Sequence, residues 1–251
     1  MNFVSYSNPF HEGLSSPPFM GGAEGGELEI IQEMQSYYGK RAPLYDSSMG
    51  YDDHDAVASL APAIKRITVL LERRRVLEIA SGPCFWTERV SGACESILAT
   101  DYNDATLDQA RRKTLDWGKV SLQRADAYNL SQVQGDFDAA LAVDWFAHVP
   151  RSRFHEFLRG LHSRLQPGSI VVLCDQLPGP ESLSGMSDGE GNHIQMRELP
   201  DGTSCRVIKH FLTEQEMKEL FARYSDQVEI ASYPECRRIV VSYVVGNRLC
   251  Q

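Results

Sequence analysis

Four acidic residues stand in or directly after short apolar runs. Glu78 lies in V-L-E-I-A (76–80), Asp101 follows I-L-A-T (97–100), Asp126 follows the run 120–122 by way of Q-R-A, and Asp144 follows F-D-A-A-L-A-V (137–143). Carboxylates at successive strand ends can accept hydrogen bonds from the hydroxyls and amines of a ligand at the sheet edge where open α/β folds bind. Trp145 and His148 follow in A-V-D-W-F-A-H-V-P. His148 is the best-placed base of the chain, because an imidazole titrates near neutrality and can take a proton from a hydroxyl. Each residue also has a plainer reading. A lone acid can be a turn residue, Asn103 or Asp104 can cap a helix, and His148 can be a helix-entry histidine satisfied by backbone. His155 and His162 are expected on the surface of the next helix.

These residues need a scaffold, and the hydrophobic pattern specifies one. Apolar, often β-branched runs at 76–80, 97–100, 120–122, 137–143 and 170–174 alternate with helical segments, which argues for a parallel sheet with helices on both faces. Ahead of them, Leu28, Ile31, Met34 and Tyr38 recur at helical spacing, and a second helix is expected from Pro62 through Leu71. The clearest helix carries Phe154, Phe157, Leu158, Leu161 and Leu165 on one stripe and is expected to stop at Pro167-Gly168. Thr213 and Glu216 form a capping box for a helix over 213–221. The runs 228–232 and 239–245 are joined by only a few residues, too few for a crossover, so they must be antiparallel.

A chain of 251 residues with 42% hydrophobic residues can bury one sizeable core, and a single large domain is expected. Residues 1–26, rich in Gly, Pro and Ser, read as a flexible tail, and residues 27–251 as the domain. The net charge of −9 disfavours nucleic acid as a partner, and the one dense basic run, Arg73-Arg74-Arg75, reads as a solvated helix end. The six cysteines show no C-x-x-C spacing or other metal-ligand pattern, so no metal is expected and reduced thiols of a cytoplasmic protein fit best. No membrane-spanning run or signal peptide is visible. A monomer or homodimer is expected.

The stretch V-L-E-I-A-S-G-P-C-F-W-T, followed at strand spacing by I-L-A-T-D-Y and R-A-D-A-Y, resembles the class I S-adenosylmethionine-dependent methyltransferases of small-molecule type. The resemblance covers nearly the whole chain from Leu28 onward. It implies an α/β fold with a doubly wound, mostly parallel seven-stranded sheet whose last strand is antiparallel, and S-adenosyl-L-methionine as cofactor. Ala80 and Cys84 replace the first and last glycines of the family's loop while Gly82 keeps the middle one, so close backbone approach survives but positive φ at the other two becomes costly. Such a loop is a poor pyrophosphate cradle and a plausible wall against a nucleoside and an amino-acid tail.

By the same resemblance, Glu78 takes the family's acid position and Asp101, beside Tyr102, binds both ribose hydroxyls. Asp126 accepts from the adenine amine with the Ala127 amide facing the ring, and Val143 and Asp144 complete the cofactor contacts. The stretch 37–46, within an N-terminal helical lid over 27–72, folds over the cofactor, with Tyr38 facing the sulfonium and Arg41 reaching the methionine carboxylate. Tyr residues that merely pack on the core are the alternative. An insertion at 177–210, ending in a hairpin around Pro200-Asp201-Gly202, is expected to sit over the active site and supply the acceptor pocket. There Arg197, Arg206 and His210, with Trp145, would hold an anionic acceptor, unless the hairpin face is simply solvated.

The expected activity is methyl transfer to an O or N atom of a small metabolite, with secondary metabolism as its setting. A carboxylate methyltransferase or a non-catalytic cofactor-binding module is the alternative. A protein or RNA methyltransferase is disfavoured by the lid-like insertion and the acidic balance, and a nicotinamide oxidoreductase by the missing glycines.

Overall fold

The structure, a computed structural model, describes residues 23–246. Most of the expected tail therefore lies outside the described residues, and helix α1 (Ala23–Arg41) begins ahead of the boundary read from the sequence. Lys40 and Arg41 close its last turn, where cations complement the helix dipole. The chain then turns at Pro43 into the short helices α2 (Tyr45–Ser48) and α3 (His54–Ser59), neither of which shows in the apolar pattern, and α4 (Ala61–Leu70). Asp53 starts α3 by accepting from the backbone N–H groups of Asp55 and Ala56, both at 2.9 Å.

The alternating region follows as β1 (Arg75–Ile79), α5 (Phe85–Val90), β2 (Ser96–Asp101), α6 (Asp104–Ala110), β3 (Val120–Arg124), β4 (Phe137–Val143), α7 (Phe154–His162) and β5 (Leu165–Gln176). An insertion carries β6 (Met186–Ser187), β7 (His193–Glu198) and β8 (Ser204–Ile208), and the chain ends with α8 (Glu214–Phe221), β9 (Val228–Tyr233) and β10 (Arg238–Val244). The main sheet has seven strands in the order β3-β2-β1-β4-β5-β10-β9, with β10 antiparallel to both neighbours. The expected architecture, terminal hairpin included, is the observed one.

Because helices cover both faces, the central strands are apolar on both sides. Leu77, Ile79, Ala140, Ala142, Val171 and Leu173 meet Phe157, Leu158 and Leu161 of α7 and Phe221 of α8. Their neighbours Val76, Ala139, Leu141 and Val172 meet Ile67 of α4 and Phe85, Trp86 and Val90 of α5.

Two expectations fail in α7. The helix ends at His162, and Leu165 belongs to β5, where it pairs with Phe137. Pro167-Gly168 lies within the strand, at a shift of register between Phe137 and Ala139, with Gly168 at φ +86 donating to the Val245 carbonyl at 3.0 Å. Proline is tolerated there because the ladder is already broken. His162, expected at the surface, is 4% exposed and hydrogen-bonds the Tyr243 hydroxyl at 2.8 Å, since the buried stripe of α7 extends to its last residue.

The insertion forms the expected hairpin, with Gly202 at φ +81 in its turn. Helix α1 runs along the free edge of β8, a stretch of backbone that would otherwise be unpaired. The N–H of Arg206 donates to Glu33 at 2.9 Å and that of Ile208 to the Met34 sulfur at 3.3 Å, while the Arg206 guanidinium pairs with Glu33 and Glu29 at 2.5 and 2.9 Å. Ile30, Ile31, Met34 and Tyr37 pack on Ile194, Val207 and Ile208 in a third, smaller core. The helix and the hairpin thus form one cover, joined by a two-acid clamp on Arg206.

Phe157 has no solvent exposure and packs against Tyr128, Trp145 and Phe146 beneath the carboxyl edge. Phe157→Ala is expected to lower the unfolding free energy by about 3–5 kcal/mol, read as a lower denaturant midpoint at unchanged slope. An unchanged midpoint would show that this ring does not anchor the sheet.

Candidate active site

A cavity opens at the carboxyl edge of β1, β2 and β4, under α1. Its floor is the turn after β1. Ala80, Gly82 and Cys84 all adopt positive φ, at 51°, 57° and 63°. The two non-glycine residues thus take the conformation that their side chains disfavour, at a cost of about 1–2 kcal/mol each. The turn compensates through its own hydrogen bonds: Ser81 N–H to the Thr100 carbonyl at 2.9 Å, Gly82 N–H to Asp101 Oδ2 at 3.1 Å and Cys84 N–H to the Ser81 carbonyl at 3.0 Å. Asp101 also accepts from Asn103 N–H at 2.9 Å, yet burial pushes its carboxyl above the ordinary value. Glu78 is 1% exposed, away from the cavity lining, and accepts from the Thr87 hydroxyl at 2.6 Å. Burial pushes its carboxyl up to about 8, so it braces α5 against β1 from within the core.

Asp126, Ala127, Tyr102 and Ala80 line the cavity. Asp126 accepts from Tyr128 N–H at 2.9 Å, which leaves capacity on the same carboxylate. Tyr128 and Trp145 also line the cavity, and among the described residues the Tyr128 hydroxyl and the Trp145 indole N–H are buried without a hydrogen-bond partner. Orphaned polar atoms of this kind call for a ligand that satisfies them.

Asp144 closes the deep end at φ +53. Its carboxylate accepts from Arg238 at 2.5 Å, both side chains being 5% exposed, and from the Tyr51 hydroxyl at 3.4 Å. Tyr51 in turn accepts from the Trp86 indole at 3.1 Å and stacks on Phe85 with centroids 3.5 Å apart. Burial alone would raise the Asp144 carboxyl, but the Arg238 guanidinium overrides it and holds the group below its ordinary value. Arg238, Tyr51 and Lys209 escaped the sequence reading. Arg238 left one signal: a strand antiparallel to its neighbours starts at their carboxyl edge, so its first residue is at the site.

Above Asp144, helix α1 brings Tyr38 to His148. The His148 Nδ1 is 2.5 Å from the Ile208 carbonyl, which can only accept, so Nδ1 carries the proton. Nε2 therefore offers its lone pair to the Tyr38 hydroxyl at 3.0 Å, and both residues line the cavity. Burial, and then the charge of Lys209, lower the imidazole to about 3, while burial raises the Tyr38 phenol well above its usual value. At neutral pH this is an uncharged tyrosine–histidine pair.

Other expected residues stand elsewhere. Arg41 donates to the Ser48 hydroxyl at 2.7 Å and lies over the Tyr37 and Tyr45 rings, outside the lining, and it is Tyr45 that faces the cavity. Val143 is buried behind Asp144. Arg206 is taken by the acids of α1, and buried His210 sets its ring edge-on against Phe154. Arg197 donates to the Gln195 side chain at 2.5 Å. Among the described residues no cluster of His, Cys, Asp and Glu could hold a metal, and no helix is long and apolar enough to cross a membrane.

A methyltransferase domain family matches residues 76–168, the stretch that builds the turn, Asp101, Asp126 and the Asp144–His148 edge. The structure also superimposes on the DhpI-SAH complex with a TM-score of 0.71 at 26% identity, over 88% of this chain and 99% of that one. The DhpI-SAM-HEP complex gives 0.70 at 28% identity, over 85% and 97%. The chain carries a methyltransferase domain on the fold of the S-adenosylmethionine-dependent methyltransferases. Among named relatives, the demethylmenaquinone methyltransferase of Clavibacter sepedonicus is 23% identical over 81% of this methyltransferase and 78% of its own length. The biotin biosynthesis bifunctional protein BioHC of Cellvibrio japonicus (strain Ueda107) is 29% identical over 57% of this chain, a match that spans only 27% of that protein.

The tautomer and burial of His148 yield a pH prediction for the methyltransferase. Its folded value, about 3, lies below the unfolded value near 6.5. Between these limits the unfolded chain binds a proton that the folded chain does not. The contribution of His148 to stability is thus intact above about pH 6.5 and falls on acidification by up to about 1.4 kcal/mol per pH unit. Long-range proton–nitrogen NMR should show His148 neutral and protonated on Nδ1 from pH 8 down to pH 5. A titration near 6.5 would show that the ring is solvated.

Proposed function

We propose that this methyltransferase moves a methyl group to an oxygen or nitrogen atom of a small metabolite, and that Tyr38 and His148 receive the acceptor. The observation that carries this reading is the neutral Tyr38–His148 pair lining the same cavity as Asp101 and Asp126. The residues present fit S-adenosyl-L-methionine. The N–H groups of Ser81, Gly82 and Cys84 are all bonded within the protein, which leaves no nest for a phosphate, and Gly82 has no Cβ to hinder close approach. Asp101 would accept from the ribose hydroxyls, Asp126 from the adenine amine, and the rings of Tyr38 and Tyr45 would face the positive sulfur. When bound, that cofactor supplies an electrophilic methyl group open to in-line displacement.

The rest is orientation and proton movement by this chain's residues. A hydroxyl acceptor would hydrogen-bond the Tyr38 oxygen, whose own proton already points at His148 Nε2. As the new bond forms, the acceptor proton would pass to Tyr38 and the tyrosine proton to Nε2, with the Ile208 carbonyl fixing the ring through Nδ1. Because His148 is neutral throughout the physiological range, the rate is expected to stay flat from about pH 5 to 8. This replaces the rise through a histidine titration that an exposed imidazole would give.

Hydrogen bonds to a charged group are worth roughly 1.5–3 kcal/mol, so Asp101→Ala should weaken cofactor binding by about ten- to over a hundredfold with the fold intact. Calorimetry checks this, and an unchanged dissociation constant would reject the ribose role. After a metabolite screen with labelled cofactor, Tyr38→Phe and His148→Gln should each lower turnover on a hydroxyl acceptor by about 10²–10⁴-fold at nearly unchanged cofactor affinity. Losses below about threefold would instead favour an unprotonated amine or a carboxylate, which needs no base.

A further inference from the structure

The hairpin brings two cations, Arg197 and Lys209, to the side of the site where it meets the turn after β4. Register pairs Arg197 with Cys205 and Gln195 with Val207, and the Lys209 N–H continues the ladder to the His193 carbonyl at 2.9 Å. Residues opposite each other share a face, so Gln195, Arg197 and Lys209 lie on one side of the hairpin. Gln195 and Lys209 are each 4% exposed. Lys209 is held between two bonds to the turn after β4: the Ile208 carbonyl accepts from His148 Nδ1 at 2.5 Å, and His210 N–H donates to the Ala147 carbonyl at 2.8 Å. Among the described residues, its ammonium makes no hydrogen bond or ion pair.

The charged groups that face Lys209 are Asp144, Asp175, Arg238 and Arg197. Asp144 and Arg238 neutralise each other at 2.5 Å. One acid therefore remains for two cations. That acid, Asp175, keeps one oxygen buried and unpartnered, and burial raises its carboxyl to about 6. Buried Lys209 and half-buried Arg197 thus share one acid, and an anionic ligand would supply the second negative charge. Arg197 acts electrostatically on both Tyr38 and His148, and Lys209 on His148, although neither cation lines the cavity itself.

We propose that the methyl acceptor carries an oxyanion group, a carboxylate or a phosphate, which Lys209 and Arg197 hold at the hairpin end of the site. The proposal rests on the methyltransferase reading above and names its substrate class. It gives the acceptor two fixed points: the oxyanion on Lys209 and Arg197, and the methylated atom at Tyr38. Charge-assisted hydrogen bonds at the first point would exclude amides and esters of the same skeleton, since these leave both cations unpaired. Arg206 and His210, the other candidates on this hairpin, are committed to α1 and to the core.

The probes are sodium acetate and sodium phosphate, compared with sodium chloride at equal ionic strength, on the full chain saturated with S-adenosylhomocysteine. Acetate or phosphate is expected to raise the melting temperature beyond chloride, and the more effective of the two identifies the group. Lys209→Met should weaken that anion response about tenfold or more, while Lys209→Arg keeps part of it and S-adenosylhomocysteine affinity stays within about twofold in both. Equal responses to all three salts in the wild type, or a full response in Lys209→Met, would overturn the proposal. If Lys209→Met fails to fold and adding Asp175→Asn restores it without any anion response, Lys209 is the counter-ion of Asp175 and the proposal falls. An anion response in a chain that binds no S-adenosylhomocysteine would uphold the oxyanion site and overturn the methyltransferase reading instead.

Discussion

The buried pair between Asp144 and Arg238 joins four separate parts of the chain beneath the site. Asp144 ends β4, Arg238 starts β10, Tyr51 arrives from the segment between α2 and α3, and Trp86 comes from α5. Taking two charges out of water costs several kcal/mol per ion, which only close geometry and further hydrogen bonds recover. Here the recovery comes from a 2.5 Å contact and the Tyr51 hydroxyl, which lies within bonding distance of both partners. Removing one partner would leave a bare charge beneath the cavity. The antiparallel insertion of β10 between β5 and β9 is what makes the pair possible, because only a reversed strand begins at the edge where β4 ends.

Backbone strain gathers at the same edge. Five non-glycine residues among those described have positive φ, and three of them, Ala80, Cys84 and Asp144, lie at the turn after β1 or the end of β4. Such conformations persist when surrounding structure over-determines them, and they cluster where a ligand must approach backbone closely. The turn after β1 meets that condition through three internal N–H bonds, and Asp144 through its N–H bond to the Cys174 carbonyl at 2.8 Å and its ion pair. These bonds also leave the turn without the free N–H groups that a phosphate would need.

The cover is built from two distant parts of the chain. Alone, α1 would expose Ile30, Ile31 and Met34, and the hairpin would expose Ile194, Val207 and Ile208; together they form a small core of their own. The Glu33–Arg206 contact fixes their register, and that register delivers Tyr38 and the Ile208 carbonyl to opposite nitrogens of His148. The chemistry of His148 is thus set by a residue 110 positions before it and another 60 positions after it.

Periodicity and residue type were enough to order the strands and helices, to require the terminal hairpin and to place Asp101, Asp126 and Asp144 at one edge. Those features depend on local pattern: short apolar runs alternating with helical segments, a connection too short to cross over, and acids at or just after the ends of the runs. Where the reading failed, a long-range contact outweighed a local pattern. Leu165 fits the stripe of α7 but joins β5 because Phe137 stands opposite, and His162 looks like a surface residue until Tyr243 meets it across the sheet. The partners of charged side chains were decided by tertiary structure alone. Nothing local distinguishes Arg206, claimed by two acids of α1, from Arg197 on the same hairpin, or shows that Lys209 is buried beside Asp144 and Asp175. Charge compensation acts through space over a few ångströms, and only the folded chain determines which charges come that close.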